Sequence, residues 1–180
     1  MSELYSDLLA DVRYDGKYHS IKQLVQPYEP TVKAVADILV RAPDFISAAQ
    51  PFVDSFTSYK RESGDYWRTP VETLVAHVGD CDDKAILLCS ILRNYMRPDQ
   101  VYCAFGTWKG IGHMWVVVPG VGQDLIIEAT KPPDHSGEAG YELEGIFNDI
   151  YAFCEDKAIA LFDLLPLVMK AAFSSSRRFL

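Results

Sequence analysis

Apolar residues recur at helical spacing through "YEPTVKAVADILVRAPDFISAAQPFVDSFTSYK", residues 28–60. Pro43 and Pro51 interrupt the run, because each removes a backbone donor and crowds the preceding turn. The stretch predicts two or three short helices. "RESGDYWRTP" follows as a polar loop carrying two aromatics. "VETLVAHV" predicts a short helix with Thr69 as N-cap and Pro70 at the first helical position. "GDC" is a turn. "DDKAILLCSILRNYM" predicts a helix whose apolar positions are 85, 87, 88, 91 and 92. The pattern then changes. "QVYCAFGTW", "HMWVVV" and "LIIEAT" are apolar and β-rich, separated by the turns "KGIG" and "PGVG". "KPPDHSGEAG" is a loop. From Tyr141 to Phe173 the spacing is helical again, with a break at Pro166.

Helices, then a small antiparallel sheet, then helices describe an α+β domain with the two kinds of element segregated. The 180 residues suit a single domain, 1–180, with its core at about 30–132 and a helical extension at about 141–173. Hydrophobic residues make up 49%, well clear of a disordered composition. The net charge of −8, with no dense Lys/Arg run, argues against nucleic-acid binding. No apolar run reaches the ~20 residues of a membrane helix, and "MSELYSDLLADVRYDG" lacks the features of a signal peptide. A cytoplasmic location with no membrane partner is the expectation.

The four cysteines, Cys81, Cys89, Cys103 and Cys154, form no C-x-x-C pair, which argues against structural zinc. An even count allows two disulfides, but without secretion features reduced thiols are the expectation. Cys89, Cys103 and Cys154 lie in apolar surroundings and read as small buried hydrophobes. Cys81 differs. It stands between acids in "HVGDCDDKAILLCSILRNYMRP", where a turn becomes a helix. With Asp80 capping through its side chain, Cys81 takes the first helical position. Its N–H is then available to an oxyanion, and the helix end favours a thiolate. Asp80, Asp82 and Asp83 oppose ionisation, so activation requires a cationic partner, an imidazolium.

Of the four histidines, His19, His77, His113 and His135, His113 opens a strand directly after a turn and is presented rather than buried. A third group should orient it. If the "PGVG" turn is a four-residue loop, Val118 pairs with Gln123 and His113 lies directly opposite Glu128. A loop longer by two residues puts Glu128 opposite Trp115, diagonal to His113 on the same face. A change of one residue separates the two faces.

At these residues the chain resembles the transglutaminase-like cysteine proteinase superfamily, its bacterial and archaeal branch. The resemblance rests on "DYWRTPVETLVAHVGDCDDKAILLCSILR", "GHMWVVV" and "LIIEAT", and covers roughly residues 30–132. It implies a papain-like fold with Cys81 as nucleophile, His113 as general base and acid, and Glu128 as orienting acid. The third position is more often Asp in that family. Trp67 and Tyr66 are candidates for an oxyanion side-chain donor, with core packing the equal alternative for both.

The implied chemistry is acyl transfer through a thioester on a protein or peptide substrate, with hydrolysis by a cysteine protease or amidase ahead of transfer to an amine. A non-catalytic interaction domain on the same fold is the competing class. An acidic substrate mimic is a third, suggested by charge alone. No cofactor is expected. "DCDDK" offers carboxylates to calcium, which some relatives bind near the site, but Asp82 and Asp83 read first as complements to the helix dipole.

Overall fold

The computed structural model describes residues 8–13, 15–61, 66–130 and 140–154. After a two-strand hairpin, β1 (Leu9–Ala10) and β2 (His19–Ser20), the chain forms α1 (Pro30–Leu39) and α2 (Phe45–Phe56). A short β3 (Ser58–Tyr59), α3 (Pro70–Ala76), β4 (Val78–Gly79) and α4 (Cys81–Leu92) follow. The remainder is a sheet: β5 (Tyr102–Trp108), β6 (Ile111–Val118), β7 (Leu125–Ile127), β8 (Tyr141–Phe147) and β9 (Ala152–Cys154). It is antiparallel throughout, in the order β7-β6-β5-β8-β9. The α+β expectation therefore holds, with four α-helices ahead of the sheet among the described residues. No helix among the described residues is long and apolar enough to cross a membrane.

Local chemistry accounts for the helix ends. The Glu29 carboxylate accepts from the Thr31 and Val32 N–H groups at 2.8 and 3.0 Å, starting α1. Asp44 accepts from Ser47 N–H at 3.1 Å, starting α2. Thr69 caps α3 with Pro70 at its first position, as the sequence predicts, and Glu72 completes a reciprocal capping box. Pro43 falls between helices, but Pro51 lies inside α2. The helix runs through it because one missing N–H is a local loss, while buried Ala49 and Val53 on either side hold the flanking turns.

The α4 helix is the axis of the fold. Every residue from Asp82 to Leu92 is buried, not only the apolar positions 85, 87, 88, 91 and 92. Helices α1, α2 and α3 pack around it, and β5 and β6 close the other side. Enclosure on all sides explains why a lysine sits inside: Lys84 is 1% exposed and reaches Asp54, itself nearly buried, at 3.4 Å. Cys89 and Cys103 are buried here as expected, whereas Cys154 is half-buried, and none of the four is joined in a disulfide.

Two departures from expectation matter. The β6–β7 loop spans 119–124, so Val118 pairs with Leu125 rather than with Gln123. The strand β7 ends at Ile127, and the register carries Glu128 level with Trp115, diagonal to His113: the longer-loop alternative. The second departure is larger. Residues 141–154, expected to be helical, form strands β8 and β9. The cause is a bulge. The β5–β8 register shifts between Phe105 and Gly106. On the face of β8 turned away from α4 the apolar positions are Tyr141, Leu143 and Ile146, a spacing of two and then three that imitates a helix. Gly106 is required there, since a Cβ would come 2.0 Å from the Glu142 carbonyl oxygen. The rest of the expected helical stretch, 155–173, lies outside the described residues.

Candidate active site

The loop after β4 delivers Cys81 to the first position of α4, as the spacing implies. Asp80 does occupy the N-cap position, but its side chain makes no capping bond. Its carboxyl instead shares a hydrogen bond with Asp82. The Asp82 carboxylate takes over at the helix end, accepting from the Asp83 N–H at 2.7 Å. Asp83 is fully buried and accepts from Arg68, through both the backbone N–H at 2.7 Å and the guanidinium. The three acids are thus enclosed groups, not a solvated complement to the helix dipole.

Enclosure shifts the protonation of Asp82, Asp83 and the thiol. Burial, with the hydrogen bond and charge of Asp80, pushes Asp82 up to about 10. Burial pushes Asp83 up to about 6, against the pull of Arg68. Burial and the Asp82 charge push the Cys81 thiol up to about 12. The helix end expected to favour a thiolate is outweighed. What opposes the rise is the backbone N–H of Met114, directed at the sulfur, with that of Asp82 adding to it. The β6–β7 ladder begins only at Val116, so the start of β6 lies open at that point.

His113 immediately precedes Met114. Its Nε2 lies 3.0 and 3.2 Å from the two Glu128 carboxylate oxygens. Glu128 is 2% exposed, and its carboxylate is saturated by donors. The Tyr141 hydroxyl donates to Oε1 at 2.8 Å and the Thr130 hydroxyl to Oε2 at 3.1 Å. Gln50, on α2, donates to the Glu128 main-chain carbonyl at 3.0 Å and ties that segment to the helices. The rings of Trp115 and Tyr141 lie 6.1 and 6.5 Å from the imidazole and 4.8 Å from each other, walling the pair on one side. The structure therefore brings His113 and Glu128 into direct contact and sets Cys81 against the next residue's backbone, rather than in a hydrogen bond with the imidazole.

The other candidates are placed elsewhere. Trp67 stacks on Phe147 at 5.9 Å, packed against the core. The Tyr66 ring lies beneath the guanidinium of Arg13 at 4.6 Å, with Arg68 at 5.8 Å. Trp67 thus packs against the core, while Tyr66 is half-buried beneath two guanidinium groups. His19 pairs with Asp15, and His77 packs its ring on Phe56 at 4.5 Å. His135 lies outside the described residues. Tyr141, Thr130 and Gln50 were not among the sequence candidates. Thr130 alone carried a signal, the acid-small-Thr run it closes; Tyr141 is masked by the bulge.

Comparison with solved structures places the architecture. Three forms of LapG from Legionella pneumophila superpose on this chain: calcium-bound (TM-score 0.56, 20% identity), EGTA-treated (0.57, 21%) and a further form (0.56, 22%). They cover 83–84% of this chain and 93–97% of LapG. The fold is transglutaminase-like. At this identity the similarity is one of fold. No protein-family model and no curated protein matches the chain.

Ligand oxygens of Asp80, Asp82 and Asp83 lie within 4.8 Å of one another. Clustered, buried carboxylates are a donor set for a hard divalent cation, which prefers oxygen ligands. The expectation of no cofactor accordingly gives way to a cluster that could hold a metal ion.

Proposed function

We propose that this chain is a thiol-dependent acyl-transfer enzyme, a cysteine protease or amidase of the transglutaminase-like type acting on peptide or amide bonds. The observation that carries the reading is the buried Glu128 carboxylate gripping His113 Nε2 at 3.0 Å, one residue from the backbone group aimed at Cys81. With Nε2 committed to Glu128, Nδ1 is the nitrogen left for the thiol. His113 takes the Cys81 proton as the sulfur attacks the carbonyl carbon. The C–S bond forms and the carbonyl π pair moves onto oxygen. Collapse expels the amine, which leaves with the proton from His113. Water, deprotonated by the same imidazole, then opens the thioester.

Iodoacetamide labelling tests this. Cys81 should alkylate ahead of Cys154, the other half-buried thiol, near neutral pH. His113→Ala should slow Cys81 by roughly 100-fold while leaving Cys154 unchanged. The raised thiol is the observation that favours a non-catalytic domain on the same fold. Equal labelling of the two cysteines, insensitive to His113, would decide for that reading.

Calcium fits the cluster, with Asp80, Asp82 and Asp83 as ligands. LapG has been solved with calcium bound. When bound, the ion supplies positive charge beside Cys81 and offsets the carboxylates that hold its proton on. Added calcium at about 100 times its Kd should raise the melting temperature by roughly 5–10 °C relative to EGTA. Asp82→Asn should abolish the shift. An equal shift in that variant would place the ion elsewhere.

A further inference from the structure

Acyl transfer leaves negative charge on the substrate carbonyl oxygen, and the Cys81 backbone N–H is one donor for it. A second is needed; of the sequence candidates, Trp67 stacks on Phe147 and Tyr66 lies beneath the Arg13 guanidinium. The backbone brings a different side chain to the place. β3 and β4 form a two-residue parallel bridge in which Tyr59 pairs with Gly79, two residues before Cys81. Ser58 N–H donates to the His77 carbonyl at 2.9 Å, and Lys60 N–H to the Gly79 carbonyl at 3.1 Å. Tyr59 is thus held on both sides by backbone bonds.

Its direction follows from its partner. Paired residues in a ladder project on the same face. A Cβ at Gly79 would point into the first turn of α4, 2.7 Å from the Asp83 Cβ. Tyr59 leaves the bridge on that same side, above a partner with no side chain to obstruct it. Tyr59 nevertheless remains 47% exposed, so it is not enclosed in the core, and it sits near enough to Cys81 to feel the charge of the thiol. We infer that Tyr59 is a catalytic residue, its phenol O–H donating to the oxyanion that forms when Cys81 attacks an acyl substrate.

Its surroundings suit the role. Burial and the charges of Cys81 and Asp80 push the Tyr59 phenol up, so it keeps its proton at neutral pH and remains a donor. The balance of the step is simple. Sulfur donates the pair that forms C–S, and the carbonyl π pair becomes the oxyanion bound by the phenol. Collapse returns that pair and breaks the bond to the leaving group.

The inference rests on the proposed acyl transfer, and the test separates the two. p-Nitrophenyl acetate acylates a thiolate through a tetrahedral oxyanion, whereas iodoacetamide alkylates it by displacement at a saturated carbon with none. Tyr59→Phe removes only a half-exposed hydroxyl. It should slow acylation of Cys81 by roughly 100-fold, read as p-nitrophenolate release, and leave alkylation within about twofold. Equal slowing of both would mean the phenol acts on the thiol itself, and no slowing of either would mean it does not act; both overturn the inference. If wild-type protein shows no Cys81-dependent p-nitrophenolate release, measured against Cys81→Ala, the acyl-transfer reading fails and the inference fails with it. Acylation that is Cys81-dependent but indifferent to Tyr59→Phe overturns the inference alone.

Discussion

Replacing Glu128 with Gln is expected to lower Cys81 acylation by p-nitrophenyl acetate by three to four orders of magnitude, with little change in melting temperature. The two carboxylate oxygens accept from four side-chain contacts: two to His113, one to Tyr141 and one to Thr130. An amide of the same shape fills the same space but presents one oxygen and one NH2 group. It can satisfy Tyr141 or Thr130, but it cannot both accept from the imidazole and stabilise the imidazolium that forms as Cys81 loses its proton. A swap of this kind upsets the tautomer more than the packing, and rate losses near 10^4 are the precedent for it. Glu128→Ala should lose a similar rate and in addition destabilise the fold by about 2–3 kcal/mol, because buried donors are left without an acceptor. Wild-type acylation by the Gln variant would remove Glu128 from the mechanism.

Leu88→Ala should cost about 3–5 kcal/mol, read as a lower urea midpoint at unchanged slope. Leu88 is fully buried at the centre of α4, which is itself enclosed by three helices and the sheet. Neighbours held on all sides cannot move inward easily, so the lost methyl groups leave a cavity rather than a collapsed site. The same enclosure couples stability to function, since Cys81 rides on the end of this helix. A loss under about 1.5 kcal/mol would show that the surroundings relax, and that α4 is less firmly held than its burial indicates.

The sequence made some of this legible. The strand order and the turns around "HMWVVV" and "LIIEAT" were enough to place Glu128 within reach of His113, because only a loop change of one residue would have separated their faces. Thr69 and Pro70 announced α3 through capping chemistry confined to four residues. Other features escaped because they depend on contacts distant in sequence. Asp80 was expected to cap α4, but enclosure alongside Asp82 changed its partner. The surroundings of the Cys81 thiol could not be anticipated from the helix end alone. Tyr59 reaches the site through a bridge of only two residues, too short to leave a periodic trace.

The bulge at Gly106 has a consequence beyond the bend. Side chains on a strand alternate between faces, so one extra residue inverts the parity of everything beyond it. In the unshifted pairing that Cys103↔Phe147 and Phe105↔Gly145 begin, Glu142 would stand opposite Trp108. Tyr141 would then project from the other face of the sheet, away from Glu128. With the extra residue, Tyr141 stands opposite Trp108, and Glu142 and Glu144 turn to the exposed side. A single unpaired residue thus decides whether the orienting carboxylate meets a phenol or another acid.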